Sequence, residues 1–150
     1  MTSPRWLSAD ETAAWRAYLD GTRLLMAALD RQLTRDAGLS LTDFELLVHL
    51  SEAPEQRLRM SDLADAVTTT RSNVTRASQR LVAAGWVERT PCEDDRRGTW
   101  AQLTEAGLAK LEEAAPGHLA EVRADLIDML TPDELATVAS IGARVRSQLS

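Results

Sequence analysis

Apolar residues recur along most of this chain at the 3–4 spacing of amphipathic helices, and the pattern changes to two short strand-like runs only between residues 86 and 103. Ser8-Ala9-Asp10-Glu11 reads as a capping box opening a long helix. Its stripe is Trp15, Tyr18, Thr22, Leu25 and Leu29, widened by Leu19, Met26 and Leu33, and it ends near Gly38. Thr42-Asp43-Phe44-Glu45 predicts a second capping box, with Phe44, Leu47, Val48 and Leu50 turned to the core and Ala53-Pro54 as the stop. The connector 54–59 is polar, and Leu58 can begin a short strand that pairs with the later ones.

Residues 61–103 carry the most informative pattern. Ser61 is expected to cap a short helix with Leu63, Ala64 and Val67 on its buried face. Thr68-Thr69-Thr70 disfavours continuation and suits a turn that ends in an N-cap. In the helix from Arg71, the residues Val74, Ala77, Ser78, Leu81 and Val82 share one face and are expected to point inward. The outward set is Arg71, Ser72, Asn73, Thr75, Arg76, Gln79 and Arg80, with Thr70 at the cap, and it holds no acid. Asn and Gln can pair with adenine, Arg with guanine or phosphate, and Thr with thymine, so this face has the chemistry of a helix that reads a major groove. Gly85 stops the helix, and 86–90 and 99–103 read as two strands around a charged loop. Arg96 and Arg97 at its tip form a wing able to reach phosphates, with Asp95 expected to orient one guanidinium.

Beyond the wing, Thr104 caps a helix whose seam is Leu108, Leu111, Ala115, Leu119, Val122, Leu126 and Met129. Pro116-Gly117 is expected to kink or break it. Thr131-Pro132-Asp133-Glu134 opens the last helix, with Leu135, Val138, Ile141, Gly142, Val145 and Leu149 along one side. The predicted fold is mainly α with a small β-wing: a winged helix-turn-helix over 42–103, and dimerisation helices over 8–36 and 104–150, in one chain of 150 residues. These long stripes exceed what a small winged helix needs, and a second copy related by a two-fold axis is the expected partner.

A net charge of −6 argues against nucleic acid if spread evenly. Between Thr68 and Gly98, however, six arginines face four acids, a local +2 against −8 elsewhere. The single Cys92 with only His49 and His118 supplies neither an internal disulfide nor a metal site, and no nucleophile–base–orienting set is visible, so neither enzyme nor cofactor is expected. No run approaches roughly 18 apolar residues, and the opening residues lack a signal-peptide stretch; a cytoplasmic protein without membrane partners is expected.

The run SDLADAV (61–67), NVTRASQRLVAAGWVER (73–89), DDRRG (94–98) and LTEAG (103–107) resembles the MarR family of bacterial winged helix-turn-helix transcription regulators. The resemblance implies a recognition helix bearing Ser72, Asn73, Thr75 and Arg76, and Arg96 or Arg97 as wing-tip arginine. It further implies an obligate homodimer on a pseudo-palindromic operator in double-stranded DNA, often relieved by a small aromatic acid, a phenol or an oxidant.

Three other readings compete for these residues. A thiol near Arg89 and Arg96 makes Cys92 a candidate redox switch, opposed by Glu93, Asp94 and Asp95. Trp15, Arg16 and Tyr18 can line a pocket for an aromatic effector, or simply form interface core and surface. A winged helix can also serve protein contacts alone. Trp86 and Trp100 are expected to pack the wing against the helices, and His49 and His118 to be half-exposed.

Overall fold

The computed structural model describes residues 3–150. The Ser8 hydroxyl accepts the Glu11 amide at 3.1 Å and Glu11 Oε2 accepts the Ser8 amide at 2.8 Å, so the capping box opens α1 (Ala9–Ala37) as its spacing predicts. The helix closes where the Gly38 amide donates to the Thr34 carbonyl. The next cap differs from the prediction. Ser40, not Thr42, is the N-cap of α2 (Leu41–Glu52), and Asp43 rather than Glu45 returns the bond to the cap amide. The reason is hydrophobic: with this register Leu39 before the cap and Phe44 in the first turn are both buried, the arrangement of a hydrophobic staple.

A 3₁₀ turn (Pro54–Gln56) leads into β1 (Arg57–Arg59), and Leu58 lies in a strand as expected. Helix α3 (Met60–Ala66) begins one residue before Ser61, with Arg59 at the cap position and no side-chain cap, so Ser61 is not its N-cap. Helix α4 (Arg71–Ala83) is capped by Thr70. Gly85, at φ +79°, takes the left-handed conformation that ends it and turns the chain into β2 (Val87–Pro91). Strand β3 (Thr99–Leu103) lies between the other two in an antiparallel sheet of order β1-β3-β2.

Alternation puts Val87, Ala101 and Leu103 on the buried face of that sheet, where they join Leu33, Leu39, Phe44, Leu46, Leu47, Leu50, Leu63, Val67, Val74 and Leu81 in one core. Gly107 closes it from α5 (Glu105–Asp125): a Cβ there would collide with the Trp86 carbonyl oxygen, which explains the glycine of the Leu-Thr-x-x-Gly run. Thr104 caps α5 as expected, its hydroxyl accepting the Gly107 amide at 3.0 Å.

Three other expectations fail here, one of them in part. Val82 is exposed instead of inward, because the buried face of α4 ends at Leu81. The predicted seam of α5 holds in part: Leu111 is buried and Leu108 and Ala115 pack on the core, but Gly107, Ala114 and His118 are buried beside them while Leu119 and Met129 are exposed. Pro116 does not break α5; it sits on the solvent side, where water can satisfy the carbonyl it leaves unbonded, and the break comes at Leu126 before a 3₁₀ turn (Ile127–Met129). Thr131, Pro132 and Glu134 then start α6 (Pro132–Leu149) with a complete capping box.

The chain divides into two compact units, Asp30–Ala120 and the pair of segments Met1–Leu29 with Glu121–Ser150. The first contains the whole winged helix and the core described above. In the second, Trp15, Tyr18, Leu135, Val138, Ile141 and Val145 are each between 42% and 54% exposed, so apolar side chains face solvent along both α1 and α6.

Candidate nucleic-acid interface

The solvent face of α4 follows from its capped start. Thr70 Oγ1 accepts the Asn73 amide at 3.2 Å and lies 3.2 Å from Ser72 Oγ. Val74, Ala77, Ser78 and Leu81 hold the helix to the core. Arg71, Ser72, Thr75, Arg76 and Gln79 are exposed and Asn73 is half-buried, and α4 contains no acid. Arg71 lies 3.7 Å from Asp65, both well exposed, a pair that water screens to little energy. The Thr75 hydroxyl donates to the Arg71 carbonyl, leaving its lone pairs and methyl outward. Asn73 links two turns: its Nδ2 donates to Thr69 Oγ1 at 3.0 Å, and its Oδ1 accepts from Arg76 Nη2 at 2.7 Å.

Arg80 stands apart from this set. Its Nη2 and Nε donate to Asp43 Oδ1 at 2.8 and 3.2 Å, and the Asp43 side chain is only 6% exposed. Asp43 thus completes the α2 capping box and ties α2 to α4 across 37 residues of sequence. The guanidinium expected to face DNA is thus bonded to a buried carboxylate, with about half of its side chain still exposed.

In the wing, Arg96 and Arg97 are exposed at the tip. Asp95 does not orient a guanidinium: its Oδ1 accepts the Arg97 backbone amide at 3.0 Å, while its carbonyl accepts the Gly98 amide, so it shapes the turn. Cys92 is buried beneath that turn, and a Cβ on Gly98 would lie 3.0 Å from its sulfur. Trp86 packs on the core beside Lys110 as expected. Trp100 does not; it lies on the opposite sheet face, with the Arg57 and Arg59 guanidiniums 4.3 and 5.5 Å from its ring centre. A cleft of about 510 Å³ opens between wing, α3 and α4, lined among others by Arg59, Ser61, Thr75, Arg89, Asp95 and Arg97. The sequence pattern assigned Ser61 to a helix cap and Arg89 to the surroundings of Cys92 and gave Arg59 no role; the strand alternation that puts Arg89 on the same face as Val87 was the available signal for the cleft.

The effector candidates lie on α1, with Trp15 and Tyr18 about half exposed and Arg16 exposed. His118, expected to be half-exposed, is buried: its ring centre lies 4.4 Å from that of Phe44, and its Nδ1 is 3.3 Å from Gln32 Oε1. Burial pushes its imidazole below the ordinary value. Hydrogen bonds from Arg35 and then Gln32 lower the Asp36 carboxyl, and burial raises that of Glu45. Among the described residues no cluster of His, Cys, Asp or Glu is placed to hold a metal, and no helix is long and apolar enough to cross a membrane.

Comparison with known proteins follows the same outline. The model of the MarR family matches residues 39–99. The transcriptional repressor MprA of Escherichia coli (strain K12) is 33% identical over 85 residues, 57% of this chain and 48% of that protein, so the chain spans about half the length of that curated relative. The transcriptional regulator PecS of Dickeya dadantii is 30% identical over 128 residues, 84% of this chain and 75% of the relative. Among solved structures, Sco3205 in complex with DNA, described as a MarR family transcriptional regulator from Streptomyces coelicolor, superposes with a TM-score of 0.94 at 44% identity. That match covers 98% of this chain and 92% of the other.

Proposed function

This chain belongs to the MarR family of transcription regulators, and from that premise we propose that it works as a homodimer on a pseudo-palindromic DNA operator, most simply as a repressor. The observation that carries the reading is the capped, acid-free solvent face of α4 beside an arginine-tipped wing on one sheet. In this reading Thr70, Arg71, Ser72, Asn73, Thr75, Arg76 and Gln79 meet one half-site, with Arg76 the candidate for guanine and Asn73 for adenine. Arg96 and Arg97 meet the flanking backbone or minor groove. Arg80 serves behind this surface through Asp43.

The exposed apolar sides of α1 and α6 support dimerisation through 8–36 and 104–150, leaving 42–103 as the DNA-binding region. A cytoplasmic site of action follows from the partner proposed. A small aromatic or phenolic anion as releasing ligand rests on Trp15, Arg16 and Tyr18 alone. Burial of Cys92 under Gly98 weighs against control by oxidation there.

Selection of bound duplexes from a random pool, followed by affinity measurements at one fixed salt concentration, tests the proposal. Arg76→Ala is expected to lower the ratio of specific to non-specific binding by about 1–3 kcal/mol per half-site. A ratio left intact by Arg76→Ala, Asn73→Ala and Thr75→Ala together takes α4 out of the groove. No enrichment from the pool at low salt favours a winged helix used only for protein contacts.

A further inference from the structure

We infer that the cleft between the wing and α4 is a seat for one DNA backbone phosphate, with Arg89 as its principal cation. The inference rests on the operator-binding reading and adds to it a residue outside the recognition helix and the wing tip.

Three observations carry it. Arg89 is paired with Ala101 across β2 and β3, so it shares the sheet face of Val87, Ala101 and Leu103, yet unlike them it is exposed. The cleft is lined by three arginines, of which Arg59 turns its guanidinium toward Trp100 on the other sheet face, leaving Arg89 and Arg97, and by one acid, Asp95, whose Oδ1 already accepts the Arg97 amide. Among the described residues none of these three arginines is in an ion pair, whereas Arg35, Arg57, Arg71, Arg80 and Arg123 are. Two guanidiniums, Arg89 and Arg97, share this concavity with a single carboxylate, and the remaining positive charge calls for an anion.

The position selects which anion. One strand of backbone separates a major groove from the adjacent minor groove, so a protein that places a helix in one and a wing in the other must straddle that strand. The cleft is bounded by Thr75 of α4 on one side and by Arg97 and Thr99 of the wing on the other. A phosphodiester lying there meets Arg89 from the sheet, with the Ser61 hydroxyl among the lining groups. Such a contact fixes register and carries no base information.

The test uses the full chain and a duplex selected from a random pool, in a series with one phosphate at a time replaced by a neutral methylphosphonate. For the unaltered protein, one position per half-site, between the two contacted grooves, should cost roughly tenfold in affinity, the size of one charge-assisted hydrogen bond. Arg89→Ala should lose a similar factor on the natural duplex, be indifferent to that same methylphosphonate, keep its ratio of specific to non-specific binding, and show a salt slope flatter by about two for the two half-sites. Arg89→Gln provides a second variant, and the melting temperature of each is recorded so that lost folding is not read as lost contact. An Arg89→Ala protein with the same methylphosphonate profile and salt slope as the unaltered one overturns the inference while leaving operator binding intact. Absence of any bound duplex for the unaltered protein overturns both. If the cleft served a free anion, inorganic phosphate would raise the melting temperature of the unaltered protein and not of Arg89→Ala, with the methylphosphonate profiles alike, and that too overturns the assignment.

Discussion

Replacing Arg80 by Ala should cost stability and leave DNA discrimination intact, the reverse of what its outward position in the recognition-helix pattern implies. The substitution removes both guanidinium donors, at 2.8 and 3.2 Å, from an Asp43 carboxylate that is 6% exposed. Breaking a fully buried ion pair on one side costs about 3–5 kcal/mol. Here the arginine is 52% exposed and Asp43 keeps the Ser40 amide at 3.0 Å, so water can reach part of the deficit. The expected loss is therefore about 1.5–3 kcal/mol, the range for hydrogen bonds to charged groups. For a chain of this size that is a fall of roughly 4–10 °C in melting temperature. Urea unfolding at fixed protomer concentration measures it, since the apparent stability of the proposed dimer would depend on concentration. Affinities for operator and random duplex, taken well below the transition, complete the assay. Stability unchanged within about 0.5 kcal/mol, together with a fallen specific-to-non-specific ratio, would refute the positioning role and return Arg80 to the reading face.

Removing residues 131–150 should give aggregated or unfolded chain if, as proposed, a second copy covers the solvent-facing apolar residues of α1 and α6; a soluble folded monomer by light scattering counts against the dimer. Arg96→Ala or Arg97→Ala should weaken specific and non-specific DNA alike and flatten the slope of log affinity against log salt by about one unit per lost contact; identical slopes for both variants and the unaltered protein place the wing off the backbone. Burial lowers the folded-state pKa of His118, so between that value and about 6.5 the unfolded chain binds more protons than the folded one. Its stability contribution is therefore complete above about pH 6.5 and is lost as pH falls toward the folded value; unfolding free energy from pH 7.5 to 5 should decline less for His118→Gln, and parallel curves would remove His118 as the cause.

Most helix starts were legible because caps are local: Ser8, Thr70, Thr104 and Thr131 each satisfy an amide three residues on, as their spacing requires. The choice between Ser40-x-x-Asp43 and Thr42-x-x-Glu45 was not, since both spell a capping box. The burial of Leu39 and the reach of Arg80 from a later helix decide it, and both are tertiary facts. The ion pair of Arg80 was hidden for the same reason: an exposed arginine and one tied to a distant buried acid have the same local pattern. The leucine-based seam of α5 is only partly right because Gly107, pressed on the Trp86 carbonyl, and His118, packed on Phe44, take the most buried positions, and Leu119 beside His118 is left exposed. Trp100 was expected to pack the wing against the helices, yet register with Arg59 puts it on the opposite face, where a flat ring stacks under two guanidiniums.

Two of the features the sequence concealed, the bonds of Asn73 and of Arg80, restrain the solvent face of α4 and bear on how well the proposed reading face can discriminate. A base contact by Arg76 gains most when its guanidinium is already held, since ordering a long side chain on binding costs about 0.5–1.5 kcal/mol. The chain Thr69–Asn73–Arg76 supplies that restraint on the surface, with bonds of 3.0 and 2.7 Å, and Asp43–Arg80 fixes the next turn of the same helix to α2. Each restraint is anchored to an element outside the last two turns of α4: the Thr turn in one case and the α2 cap in the other. Movement of α2 against α4 would therefore change the aim of the outward side chains without touching any of them. A ligand that binds elsewhere can exploit this only if it favours one setting of that pair over another by its own binding energy.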